Sequence, residues 1–121
     1  MNKLQSEVWK KLEQHAKDNR NFHLRKAFEE DEMRFEKYSI TFNNFLFDYS
    51  KQRINDQTLS LLIELAEASN LEEWQDKQFK GDKINHTEER SVLHTALRDF
   101  SESTIIIDGK DIKLDIEAVL N

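Results

Sequence analysis

The chain has 121 residues, room for one small domain with a single core, since a chain of this size hides roughly two thirds of its unfolded surface. Charged residues make up 35% and hydrophobic residues 37%, with no proline and two glycines, a balance that favours helices over an all-β sandwich. Eighteen basic against twenty-four acidic residues give a formal charge of -6, which excludes the basic footprint of a nucleic-acid binder.

Leu4, Val8, Leu12 and His15 or Ala16 recur at helical spacing, and Ser6 can accept from first-turn amides, so an amphipathic helix is predicted from about Ser6 to Lys17. A second, short helix is predicted through His23–Phe28, where Leu24 and Phe28 fall one turn apart, ending near Asp31. The period then changes. Tyr38, Ile40 and Phe42 alternate with Ser39 and Thr41, and Phe45 and Phe47 follow beyond Asn43-Asn44. Two strands joined by a two-residue type I′ turn are expected, because Asn tolerates the positive φ that this turn needs.

Asn55-Asp56-Gln57-Thr58 opens a helix in which Leu59, Leu62, Ile63 and Ala66 share a face, ending around Ser69-Asn70. Asn70 with Glu73 has the spacing of a capping box, and Gly81 supplies a stop, so a further short helix is predicted between them. Asn85 with Glu88 repeats the spacing and predicts another helix carrying Val92, Leu93, Ala96, Leu97 and Phe100. Thr104–Ile112 holds a β-rich run around Asp108-Gly109, a strong hairpin signal. Leu114–Leu120 begins a last helix with no stop signal of its own, so the sequence reads as cut rather than finished. The fold class expected is α+β, mostly helical with two short β-hairpins.

Without cysteine there is no disulfide, thiol nucleophile or Cys-ligated zinc, which fits a reducing, cytoplasmic setting. No apolar run approaches the ~20 residues of a membrane span, and the first residues lack a signal-peptide core. His86, Arg90, His94 and Arg98 would form a cationic stripe on a helix, yet His86 and His94 would lie roughly 12 Å apart, too far to share one metal ion. His94, beside Leu93 and Leu97, is read as a partly buried structural histidine. The adjacent pairs Glu72-Glu73 and Glu88-Glu89 point apart on a helix and make no acid–base couple. The aromatic residues at 35, 38, 42, 45, 47 and 49 lack basic interleaving and are read as core rather than base-stacking surface. From residues alone no active site is assembled.

Four stretches together resemble the N-terminal region of glucose-6-phosphate isomerases: His23-Leu24-Arg25 with Phe28 and Arg34-Phe35; Leu46–Lys51 with Arg53-Ile54; Gly81–Asn85 with Thr87-Glu88, Arg90 and Val92–Arg98; and Asp108–Ile112. The third is the most specific. The resemblance implies that residues 1–121 are one N-terminal helical and hairpin segment, roughly the first fifth of a larger α/β (α-β-α sandwich) enzyme, with the sugar-isomerase domains absent. In that family a Ser/Thr-rich loop holds the sugar phosphate, and a glutamate moves a proton between C2 and C1 through an enediol. A histidine and a lysine assist ring opening. Those motifs lie beyond position 121, so no catalytic, substrate-binding, cofactor or metal residue is assigned here.

The implied role is a scaffold for an enzyme interconverting glucose 6-phosphate and fructose 6-phosphate, the chain itself being inactive and its partner the rest of the isomerase. The sugar phosphate would be a ligand of the parent enzyme only. A stand-alone helical interaction module is the alternative. Faces such as Leu59-Leu62-Ile63-Ala66 and Val92-Leu93-Ala96-Leu97 exceed what so small a core covers, so exposed apolar surface and self-association are expected.

Overall fold

The computed structural model of the protein describes residues 7–120; the expected contributions of Leu4 and Ser6 lie outside the described residues. The fold is α+β, about half helical, with two short antiparallel strand pairs. It divides into two compact units, residues 1–69 and 70–121, in place of the single core that the length suggested.

The first unit contains α1 (Glu7–Asp18), α2 (Leu24–Glu30), α3 (Arg34–Lys37), β1 (Ser39–Phe42), β2 (Phe45–Asp48) and α4 (Asp56–Ala68). α1 packs on α4, burying Val8 and His15 from one helix and Leu61 from the other. α3 is a single turn that periodicity could not reveal. It is started by Asp31, whose side chain accepts from Met33 N at 3.1 Å while its carbonyl accepts from Arg34 N, an Asx turn.

α4 opens as the sequence predicts. The Asn55 side chain accepts from Thr58 N at 2.9 Å, and Thr58 Oγ1 accepts from Asn55 N at 3.2 Å, so threonine plays the part usually taken by Glu in the capping box. The helix is apolar on two sides. Leu61 is buried and Leu65 half-buried, whereas Leu62 and Ile63 remain 45% and 52% exposed. A helix apolar all round is normally enclosed.

β1 and β2 pair antiparallel with Ile40 opposite Phe47 and Phe42 opposite Phe45. At the tip only Asn43 takes a left-handed φ, 51°. A type I′ turn needs this at both central residues, so the two-residue loop forms but the expected turn type does not. The aromatic residues expected in a core divide sharply. Tyr38 is buried and Tyr49 half-buried, but Phe35, Phe42, Phe45 and Phe47 are exposed. The physical reason is that a two-stranded ribbon has only its own pairs to cover it, and no other strand of the first unit extends its sheet.

The second unit contains α5 (Leu71–Lys80), a single 3-10 turn (Ala96–Arg98), β3 (Ile106–Ile107), β4 (Lys110–Asp111) and α6 (Lys113–Leu120). The capping box expected at Asn70 is absent: Asn70 is left-handed, φ 53°, and its side chain caps nothing. N-cap bonding requires extended backbone, and the left-handed conformation of Asn70 is the opposite. The glycine stop does form. Gly81 N donates to the Gln78 carbonyl at 3.2 Å and Asp82 N to the Lys77 carbonyl at 2.9 Å, the paired bonds of a Schellman motif around a residue of φ +80°.

The helix expected from Asn85 through Phe100 does not form. Asn85 and Arg90 instead close a tight turn by exchanging backbone bonds of 3.1 and 3.3 Å, with Glu89 left-handed at φ 53°. Only Ala96–Arg98 is helical in this stretch. Local competition explains the failure. Thr87 Oγ1 donates to Asn85 Oδ1 at 2.8 Å, Ser91 Oγ donates to the Gly81 carbonyl at 2.5 Å, and Thr87, Ser91, Val92, His94 and Thr95 are weak helix formers. β3 and β4 realise the second predicted hairpin, with Asp108 at φ 51° and Gly109 at φ 80° making the type I′ pair.

Candidate functional site

Two polar clusters organise the first unit, and sequence reasoning foresaw neither. Arg34, only 3% exposed, donates Nε to the Ser50 carbonyl at 2.9 Å and Nη2 to the Gln52 and Ile54 carbonyls at 3.1 and 3.0 Å. Its guanidinium also lies 4.6 Å from the Tyr38 ring centre and about 5.5 Å from those of Phe28 and Phe22. The charge is thus satisfied by carbonyl dipoles and aromatic faces rather than by a carboxylate. This fixes residues 50–54, the segment that delivers Arg53 and Asn55. Arg53 Nη2 donates to the Arg20 carbonyl at 3.0 Å, with longer bonds to those of Asn19 and Phe22, and so closes the chain just beyond α1. An Arg-Phe pair in sequence carries no periodic signal for such a role.

His15 forms the second cluster. Its Nε2 lies 2.7 Å from Thr58 Oγ1, and its Nδ1 lies 3.1 Å from Asn19 Nδ2. Since Thr58 Oγ1 donates to Asn55 Oδ1 at 2.8 Å, it accepts from His15, which assigns the proton to Nε2. Each group in the chain Asn19–His15–Thr58–Asn55 is matched, so the cluster is structural: a histidine that donates Nε2–H to the Thr58 hydroxyl is in the wrong tautomer to take that hydroxyl's proton.

Electrostatics in this unit are local. Lys51, the Ser50 hydroxyl and the Ser50 amide hold the Asp48 carboxyl down at about 2. Lys37, at 2.8 Å, and the Tyr38 hydroxyl, at 2.5 Å, hold Asp56 below the ordinary carboxylate range. Burial, and then the bond to Asp56, raises the Tyr38 phenol. These are strapping interactions at the foot of the hairpin.

In the second unit the polar residues singled out by sequence are dispersed. His86, Arg90, His94 and Arg98 form no stripe, because the helix that would align them is missing. His86 is exposed and meets the edge of Trp74 at 5.5 Å. His94 is exposed rather than partly buried, since its place lies just before the 3-10 turn rather than on a packed helix face. Arg98 Nη1 donates to the His94 carbonyl at 2.9 Å. Glu73 pairs with Lys77, Glu88 accepts from Asn85, and Lys83 grips Asp108 at the hairpin turn.

A depression of about 770 Å³ in this unit is lined by Phe79, His94, Thr95, Ala96, Arg98, Asp99 and Ile105. Its one carboxylate is committed: the Ser103 and Ser101 hydroxyls, the Ser101 amide and Lys113 hold Asp99 well below the ordinary range. A base so stabilised as an anion is poorly matched to proton transfer near neutrality. Among the described residues no three His, Cys, Asp or Glu side chains come together as a metal site.

Comparison with known proteins decides what the geometry leaves open. A family model described as phosphoglucose isomerase matches residues 48–121. The chain belongs to the phosphoglucose isomerase family. The glucose-6-phosphate isomerase of Aspergillus oryzae is 47% identical over 120 residues, covering 93% of this chain and 22% of the relative. That of Hahella chejuensis is 44% identical over 120 residues, covering 99% and 22%, and that of Chlorobium luteolum 45% identical over 115 residues, covering 95% and 21%. The chain thus spans about a fifth of the length of these curated relatives, and it matches the N-terminal part of the larger isomerase.

Proposed function

We propose that residues 1–121 are a supporting segment of a glucose-6-phosphate isomerase, the enzyme that interconverts glucose 6-phosphate and fructose 6-phosphate, and that they hold none of its catalytic or substrate-binding groups. The observation that carries this reading is 44–47% identity to glucose-6-phosphate isomerases over 93–99% of the chain but only 22% of the relatives' length. The internal chemistry agrees with it. Arg34, His15, Asp48 and Asp99 are each occupied in holding loops together. The rest of the isomerase chain is the partner, and the sugar phosphate is bound there. A cytoplasmic setting is part of this reading; among the described residues no helix is long and apolar enough to cross a membrane.

The test is a coupled assay of the purified 121-residue chain, made in a host lacking its own isomerase, with fructose 6-phosphate as substrate. No glucose 6-phosphate should form above the enzyme-free control. Turnover would place a catalytic base and phosphate site inside this segment and overturn the reading. Sedimentation and dye binding of the same sample should show association through uncovered apolar faces.

A further inference from the structure

The hairpin is amphipathic on the wrong side for an isolated ribbon. One face carries Ile40 and Phe42 from β1 and Phe45 and Phe47 from β2, directly opposed in register, while the other carries Ser39, Thr41, Leu46 and Asp48. Antiparallel sheets normally turn such an apolar face to a core. Here Ile40, Phe42, Phe45 and Phe47 are 56–78% exposed, which leaves on the order of 500 Å² of contiguous apolar side chain in water if each aromatic ring offers about 200 Å². That area is at the upper end of what a soluble surface carries without function. The face is continuous with the unit's own interior: Phe47 packs on Tyr49 at 5.3 Å, and Tyr49 meets buried Tyr38 at 6.0 Å. A two-stranded ribbon also needs a further layer to be stable in water.

We propose that this face of β1–β2 is a docking surface covered by the part of the isomerase chain lying outside residues 1–121, through an apolar contact of domain-core character. The inference rests on the segment reading above and names where that segment is held. Two observations select this occupant. About four fifths of the length of the matching relatives lies outside the aligned stretch, so ample chain exists to cover the surface. The face itself carries no charged side chain, as expected for a permanent contact rather than one formed by electrostatic steering.

The experiment uses the full isomerase chain carrying this segment. The segment contains no cysteine, so Phe45→Cys on the face and Asn44→Cys at the tip introduce unique thiols in it, and peptide mass spectrometry reads their maleimide labelling in native enzyme and in denaturant. Position 45 should be protected tenfold or more relative to the unfolded chain, with position 44 near the unfolded rate. Hydrogen exchange of residues 39–48 in the unsubstituted enzyme provides the second reading, since Phe45→Cys can loosen the contact it reports: slow exchange is expected throughout the ribbon. Equal labelling at 44 and 45 together with fast exchange would overturn the proposal, even in an enzyme that turns over substrate normally. Protection at 45 that disappears on dilution into monomers would also overturn it, by assigning the face to a second copy. Absent turnover would instead count against the isomerase reading.

Discussion

Replacing Arg34 by Met removes the guanidinium while keeping most of the aliphatic stem, and so isolates the clasp on residues 50–54. Three bonds from a charged donor are lost, each worth about 1.5–3 kcal/mol in favourable cases. They do not simply add. Ser50 is fully buried, so its carbonyl loses its partner without gaining water, at about 1–3 kcal/mol. Gln52 is exposed and Ile54 half-buried, so their carbonyls can rehydrate. Loss of the cation over Tyr38, Phe28 and Phe22 adds about 1–2 kcal/mol for a desolvated contact. A net destabilisation of about 3–5 kcal/mol results, against a total of roughly 3–10 kcal/mol for a unit of this size. Arg34→Lys should rescue little, because an ammonium cannot span three carbonyls in a fixed fork. The unit has its own probe: Trp9 lies in the first unit and Trp74 in the second, so urea unfolding of a Trp74→Phe background followed by fluorescence reports the first alone. An Arg34→Met midpoint within error of the parent would refute the clasp.

Gly81→Ala meets two obstacles, a φ of +80° and a Cβ that would sit 2.9 Å from Ile105 Cγ2, so a loss of about 1–2 kcal/mol is expected in Trp74-monitored unfolding, and an unshifted midpoint would contradict the stop geometry. Asn55→Ala should cost about 1 kcal/mol by removing a working cap, whereas Asn85→Ala, in a turn rather than at a helix start, should change stability by less than about 0.5 kcal/mol; the reverse order in thermal melts would reinstate the missing helix. Asp48 titrates at about 2, below the roughly 3.9 of an unfolded aspartate, so the folded state favours its anion. Its contribution is complete above about pH 4 and is lost as pH falls through about 2. Asp48→Asn should therefore flatten that part of the stability–pH curve, and an unchanged slope would reject the strap.

Sequence legibility followed the range of the interactions. Asn55 was readable because its cap involves residues three apart and an apolar run follows, and the Asp108-Gly109 turn because its φ requirement falls on two adjacent residues. Asn85 presented the same local spacing as Asn55, yet Ser91 reaching back to the Gly81 carbonyl and Thr87 bonding Asn85 diverted it into a turn. Spacing alone could not separate the two. Arg34 was illegible for a related reason, since its partners lie 16–20 positions away and nothing periodic announces it; helical spacing put His15 with Val8 and Leu12, but nothing local pointed to its partner Thr58, 43 positions on. The exposed hairpin face was half visible. Alternation identified the ribbon and its apolar side, but read it as core, because period 2 says which residues share a face and not whether anything covers it.

The central claim, that this chain supports an isomerase whose chemistry lies elsewhere, is tested most directly by complementation. Residues 1–121 and the remaining isomerase chain would be expressed separately and together in an isomerase-deficient host, and glucose 6-phosphate formation from fructose 6-phosphate measured for each part and for the co-expressed pair. Turnover only in the pair is the predicted result. Turnover by residues 1–121 alone, or a remaining chain that is fully active and unchanged by adding them, would contradict the account.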